Sequence, residues 1–168
     1  MELLLLRHGK AASHGHPDGD FARALVEEGH AQARHAARLL SAARRLPDLV
    51  LSSPVLRARQ TAETFCATAG LDAPLIQPWL ACGMRPAEAI AELAGFREFR
   101  RVLIVGHEPD FSSLLEWLLE TGSGGIEVKK GALACIHCTP PAQGGHLVFL
   151  VPPAMIESRP TGIKTESP

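Results

Sequence analysis

Leu3-Leu4-Leu5-Leu6 runs without a polar interruption into Arg7-His8-Gly9, and no other junction restricts the fold so much. An apolar run this short reads as a strand buried on both faces, with the residues after it emerging at the carboxyl edge of a sheet. Open α/β sheets hold their ligands at that edge. A glycine directly after the histidine lets the backbone turn and a ligand come close. Arg101-Val102-Leu103-Ile104-Val105-Gly106-His107 repeats the form, so a second parallel strand is expected to bring His107 to the same edge.

An arginine beside a histidine suits chemistry on an anion. The guanidinium forks onto two oxyanions, while its charge lowers the histidine pKa and leaves the ring neutral and nucleophilic. The tripeptide alone is still more easily read as an arginine capping carboxylates beside a hydrogen-bonded core histidine, because short motifs match by chance. The rest of the chain decides between the two.

Between the two strands the pattern predicts a loop over 10–20, rich in Gly, Pro and Asp. A helix over about 29–43 buries Ala33, Ala36, Ala37 and Leu40, and a short strand follows at 48–52. Ser53-Pro54 has the form of an N-cap followed by proline at the first helical position, so a helix is expected from there to about Ala69. Arg57 then lies in its first turn, where free N–H groups and the dipole favour an anion. A short strand at 75–77, a loop to 86, helices over 87–95 and 110–120, and closing strands over 132–138 and 146–151 complete the reading. A tail poor in apolar residues starts at about Ala154, so a single domain over 1–153 is expected. Strands alternating with helices imply a three-layer α/β/α sandwich with a mainly parallel central sheet.

Lys plus Arg number 17 and Asp plus Glu 18, so net charge points to neither nucleic acid nor membrane, and a phosphate site has to be a local arginine cluster. The scattered cysteines Cys66, Cys82, Cys135 and Cys138 read as reduced thiols. Cys135 and Cys138, three apart in a strand, point to opposite faces and read as structural. With an N-terminal run too short for a leader or a span, a cytoplasmic monomer is expected. His14-x-His16-x-Asp18 is similar to the start of a metallo-β-lactamase-like metal motif, but Gly19 stands where a further histidine is needed, and a solvated loop without metal is expected.

Arg7-His8-Gly9, Ser53-Pro54-x-x-Arg57-Ala58-x-Gln60-Thr61-Ala62 and Val105-Gly106-His107 resemble the signature blocks of the histidine phosphatase superfamily, in order and at suitable spacing. The small size resembles the SixA-type phosphohistidine phosphatases. Arg23, Leu25 and Gly29 fall on that branch's Arg-x-Leu-Thr-x-x-Gly block, with Val26 in place of threonine. The resemblance implies a phosphoglycerate-mutase-like fold and a phosphatase that needs no cofactor. It also implies roles: His8 as the nucleophile that holds the phosphoryl group, Arg7, Arg57 and His107 as the clamp on its oxygens, and Arg23 as an extra phosphate contact or a surface ion pair.

Many members of the superfamily supply a glutamate proton donor between the second and third blocks. Here Gln77-Pro78-Trp79-Leu80-Ala81-Cys82-Gly83-Met84-Arg85 contains no carboxylate. An alkoxide leaving group needs protonation badly, whereas imidazole leaves more readily, its conjugate acid having a pKa near ~6.5. The expected substrate is therefore phosphohistidine in a protein such as a phosphotransfer domain. A small phosphomonoester is the nearest alternative, and a silent phosphoprotein-binding module a third. Asp18, Asp20 and Glu108 are the remaining candidate acids.

Overall fold

A computed structural model describes residues 1–13 and 19–156. Strand β1 (Glu2–Arg7) is followed by a 3-10 turn at Asp20–Ala22 and helix α1 (Glu27–Ala42). Then come β2 (Leu49–Ser52), α2 (Leu56–Ala69), β3 (Leu75–Ile76), α3 (Pro86–Leu93), β4 (Arg101–Gly106) and α4 (Asp110–Leu118). Strands β5 (Leu133–Cys138) and β6 (Gly145–Val151) and the one-turn helix α5 (Pro153–Ile156) close the fold.

The six strands lie in the order β3-β2-β4-β1-β5-β6. The first four run parallel; β5 is antiparallel to β1, and β6 to β5. The leucine run explains itself in this sheet. Leu3 and Leu5 enter one core with Ile104, Leu114 and Leu115, while Leu4 and Leu6 enter the other with Ala37, Phe65 and Val105. Residues of a strand alternate between faces, so only a continuously apolar run serves two cores at once. Helices α1 and α2 cover one face and α3 and α4 the other, which is the expected three-layer sandwich. Cys135 and Cys138 fall in different cores, as their spacing requires.

Three details differ from the sequence reading. Helix α2 starts at Leu56 with Val55 as its cap, in extended conformation, because Ser53 Oγ accepts the Val55 N–H at 3.2 Å and closes a turn ahead of the helix. Helix α5 continues the packed chain past 153, with Ile156 against the α1–α2 core. Arg45, just past α1 and given no partner by the sequence reading, pairs with Glu2 at 3.0 Å. The positions 14–18, with the weighed metal motif, and 157–168, with most of the expected tail, lie outside the described residues. No helix among the described residues is long and apolar enough to cross a membrane.

Candidate active site

Adjacent strands set the site. Arg7 is paired in register with Gly106, and the His8 N–H donates to the Gly106 carbonyl at 3.0 Å, so His8 and His107 leave neighbouring strands side by side. Their ring centroids are 5.3 Å apart. On the other side of β4, the Ser53 N–H donates to the Val105 carbonyl at 3.0 Å, which starts α2 beside the two histidines. Arg57 follows one turn later. The three blocks thus converge because β4 lies between β2 and β1, and Arg7, His8, Arg57 and His107 meet at one sheet edge.

The His8 ring is held in a definite tautomer. Its Nδ1 lies 2.8 Å from the Gly9 carbonyl oxygen, which can only accept, so Nδ1 carries the proton. Its Nε2 keeps a lone pair and accepts from Arg57 Nε at 3.2 Å. Burial, followed by the charges of His107, Arg57 and Arg7, holds the His8 pKa at about 3 against the opposing pull of the Gly9 bond. Burial together with Arg57 and Arg7 likewise holds His107 at about 4. At neutral pH both rings are uncharged, and His8 offers a basic nitrogen beside two guanidinium groups.

His107 Nε2 lies 2.8 Å from Ser53 Oγ, while its buried Nδ1, like the Arg7 Nε, has no partner among the described residues. Arg7 Nη1 donates to the Val128 carbonyl at 2.8 Å. Thr61 and Gln60 tie the pieces together. The Thr61 hydroxyl donates to the Arg57 carbonyl at 2.7 Å and accepts the Gly9 N–H at 3.1 Å, and Gln60 Oε1 accepts the Leu25 N–H at 2.7 Å.

Arg23 is buried in an ion pair with Asp20 Oδ1 at 2.7 Å and donates to the Ala12 carbonyl. Arg23 itself is buried, while its partner Asp20 is exposed, so the pair runs from the interior to the surface. Asp20 Oδ2 lies 3.1 Å from Arg57 Nη1, so one carboxylate joins both arginines. Glu108 accepts backbone N–H groups of Ser112 and Val128 at the edge of the site. Cys82, unmarked in the sequence reading, accepts from Arg57 Nη2 at 3.6 Å. Ser53, Gln60 and Thr61 stand within the second signature block, where the sequence carried a signal for them. Cys82 reaches Arg57 through a loop with no periodicity to read. A cavity of about 710 Å³ lies at the opposite end of the strands, near Glu2, Arg100 and His137, away from this chemistry.

The sequence profile of the histidine phosphatase superfamily (branch 1) matches residues 3–81. An uncharacterized protein of Picosynechococcus sp. is 32% identical over 123 residues, 70% of each chain. The chain belongs to the histidine phosphatase superfamily. Among solved structures it is similar to the protein histidine phosphatase SixA complexed with tungstate, at TM-score 0.82 and 24% identity over 94% of this chain and all of that one. The structure assigned as phosphohistidine phosphatase SixA from Agrobacterium tumefaciens matches at TM-score 0.75 and 28% identity, over 89% of this chain and 97% of that one. The fold is that of the SixA structures, and the chain is a phosphatase of this superfamily.

The two lowered histidine pKa values fix the sign of a pH effect on folding. Both rings titrate near 6.5 when unfolded and near 3 and 4 when folded, so acid favours the unfolded chain. Stability is full above about pH 6.5 and falls as pH drops toward 4, at about 1.4 kcal/mol per pH unit for each ring. Urea unfolding at pH 7, 6 and 5 is expected to give a shallower acid slope for His8→Asn than for the natural chain; equal slopes would contradict a ring kept neutral by the fold.

Proposed function

We propose that this phosphatase works without a metal through a phosphoryl group held covalently on His8 Nε2, and that its substrate is phosphohistidine in a protein. The carrying observation is the His8 tautomer: Nδ1–H is bound to the Gly9 carbonyl, and the Nε2 lone pair lies beside Arg57. Nε2 attacks phosphorus while Arg7 and Arg57 neutralise the equatorial oxygens, where the charge of such transition states resides. Because the Ser53 hydroxyl already accepts the Val55 N–H, its own proton is free to be donated to His107 Nε2. The ring proton of His107 then sits on the unpartnered Nδ1, ready for a phosphoryl oxygen. Water next attacks the phosphorus of phospho-His8, which divides one displacement into two easier ones.

The leaving group follows from what surrounds Arg57. The 77–85 segment does reach the site, but it delivers the Cys82 thiol in place of a carboxylate. Burial pushes that thiol pKa up, with Arg57 working the other way. Both Asp20 oxygens face guanidinium groups, which suits Asp20 to holding Arg23 and Arg57 rather than giving up a proton. Glu108 is occupied by backbone N–H groups, and Asp18 lies outside the described residues. With no carboxylate among the described residues free to act beside Arg57, the site favours a leaving group that needs little protonation, and imidazole is one. The SixA structures, whose names refer to phosphohistidine and protein histidine phosphatases, support the same substrate class.

Incubation with a phosphorylated histidine phosphotransfer domain, alongside a simple alkyl phosphate, is expected to show kcat/KM at least about tenfold higher for the domain. A preference for the alkyl phosphate would overturn the substrate assignment. Among the described residues no three His, Cys, Asp or Glu side chains are grouped to hold a metal. EDTA is expected to leave the rate unchanged; inactivation reversed by zinc would assign a metal role to His14, His16 and Asp18.

A further inference from the structure

Lys130 is an exposed residue of a polar turn whose backbone is bonded to that of Arg7 and His8. The Gly131 N–H donates to the carbonyls of both Arg7 and His8, at 3.1 and 3.2 Å, and the Arg7 N–H donates to the Ala132 carbonyl at 3.2 Å. The turn itself closes through the Ala132 N–H on the Lys129 carbonyl at 2.8 Å. Gly131 sits at φ 74°, where an added Cβ would stand 2.9 Å from the Gln32 side chain, and Gln32 Oε1 in turn accepts the Lys10 N–H. With Arg7 Nη1 on the Val128 carbonyl, the 128–132 segment is bonded directly to the backbone and side chain of the Arg7-His8 pair.

Lys130 is exposed and makes no hydrogen bond or ion pair among the described residues. Burial of part of its side chain, then the charges of Arg7, Arg23, Arg57 and Lys10, hold its pKa below the ordinary lysine value. The largest charges acting on it are all positive. Lys10 is engaged by Glu28, whereas no carboxylate among the described residues engages Lys130. A cation kept by rigid backbone in a field of like charge is offset only when anionic charge arrives. The arginines already account for one phosphoryl group, and an exposed ammonium on a long stem reaches beyond it.

We propose that Lys130 is a substrate-binding residue that selects phosphorylated substrates carrying a second anionic group, a carboxylate, beside the phosphoryl group. The proposal rests on the reading of His8, Arg7 and Arg57 as the phosphoryl site. It is tested with two matched phosphohistidine peptides, one with glutamates flanking the phosphohistidine and one with glutamines. The natural chain is expected to favour the glutamate peptide by about fivefold in kcat/KM, expressed in KM and reduced by salt, as an exposed charge contact would give. Lys130→Ala is expected to erase the preference, Lys130→Arg to keep it and Lys130→Glu to reverse it. Equal use of the two peptides by the natural chain, a preference that survives Lys130→Ala, or an equal loss on both peptides would each overturn the proposal. Should the chain hydrolyse neither peptide but accept phosphomonoesters, the substrate assignment above falls while this one is still decided, by comparing phosphoglycolate with ethyl phosphate under the same expectations.

Discussion

His8→Ala is expected to reduce phosphate release by at least about 1,000-fold, the scale of loss when a covalent nucleophile is removed while the groups around it remain. Arg7, Arg57 and His107 are expected to stay in place: Arg7 is held through Val128 and His107 through Ser53, and Arg57, though it loses its bond to His8 Nε2, is still held through Asp20. The variant is therefore expected to fold and to bind phosphate or tungstate while failing to turn over. Two measurements check it. Phosphate release with the variant above a few per cent of the natural rate would remove His8 from the nucleophile's role. Labelled phosphate should remain on the denatured natural chain after brief exposure to substrate, under alkaline conditions that preserve an N–P bond, and be missing from the variant.

The second large effect is on the fold. A Cβ on Gly29 would stand 2.1 Å from the Lys10 carbonyl oxygen and 2.9 Å from its nitrogen, while one on Gly9 would stand 2.5 Å from the Gly29 carbonyl oxygen. The first turn of α1 and the loop leaving β1 are thus in backbone contact, and neither side has a flexible atom to move away. The Lys10 carbonyl also accepts the Val26 N–H at 3.1 Å, so displacing it loosens the start of the helix. Gly29→Ala is expected to cost about 3 kcal/mol or more. That corresponds to a fall in Tm of roughly 6–12 °C for a domain of this size, read by thermal unfolding. Because the same loop carries His8 and Gly9, the folded fraction of the variant should also be less active than the natural chain. An unchanged Tm would mean that the two segments do not touch as described.

The physical reason that some of this was legible in sequence, and some not, is clear from the residues themselves. Leu3–Leu6 and Val102–Val105 are buried on both faces, and double burial leaves an uninterrupted apolar run that can be read directly. The residues after each run have to emerge at one sheet edge, so the sequence alone places His8 and His107 together. Arg57 was placed by Ser53-Pro54, although the helix begins two residues later than that pair suggested. Asp20 and Cys82 are of another kind. Each meets Arg57 from a segment whose course depends on tertiary packing and leaves no period in the sequence. The link between Gly9 and Gly29 was visible only as two glycines in signature blocks, and the close approach of their backbones explains why a side chain is excluded at both.

The order of the strands has a consequence for when the molecule becomes competent. Strands β1 and β2 share no hydrogen bonds, since β4 lies between them and pairs with both. A chain emerging during synthesis has Arg7, His8 and Arg57 long before it has the partner that sets them at a working distance. Insertion of that later strand supplies the spacing and His107 in one step, so the arrangement of Arg7, His8, Arg57 and His107 belongs to the completed sheet.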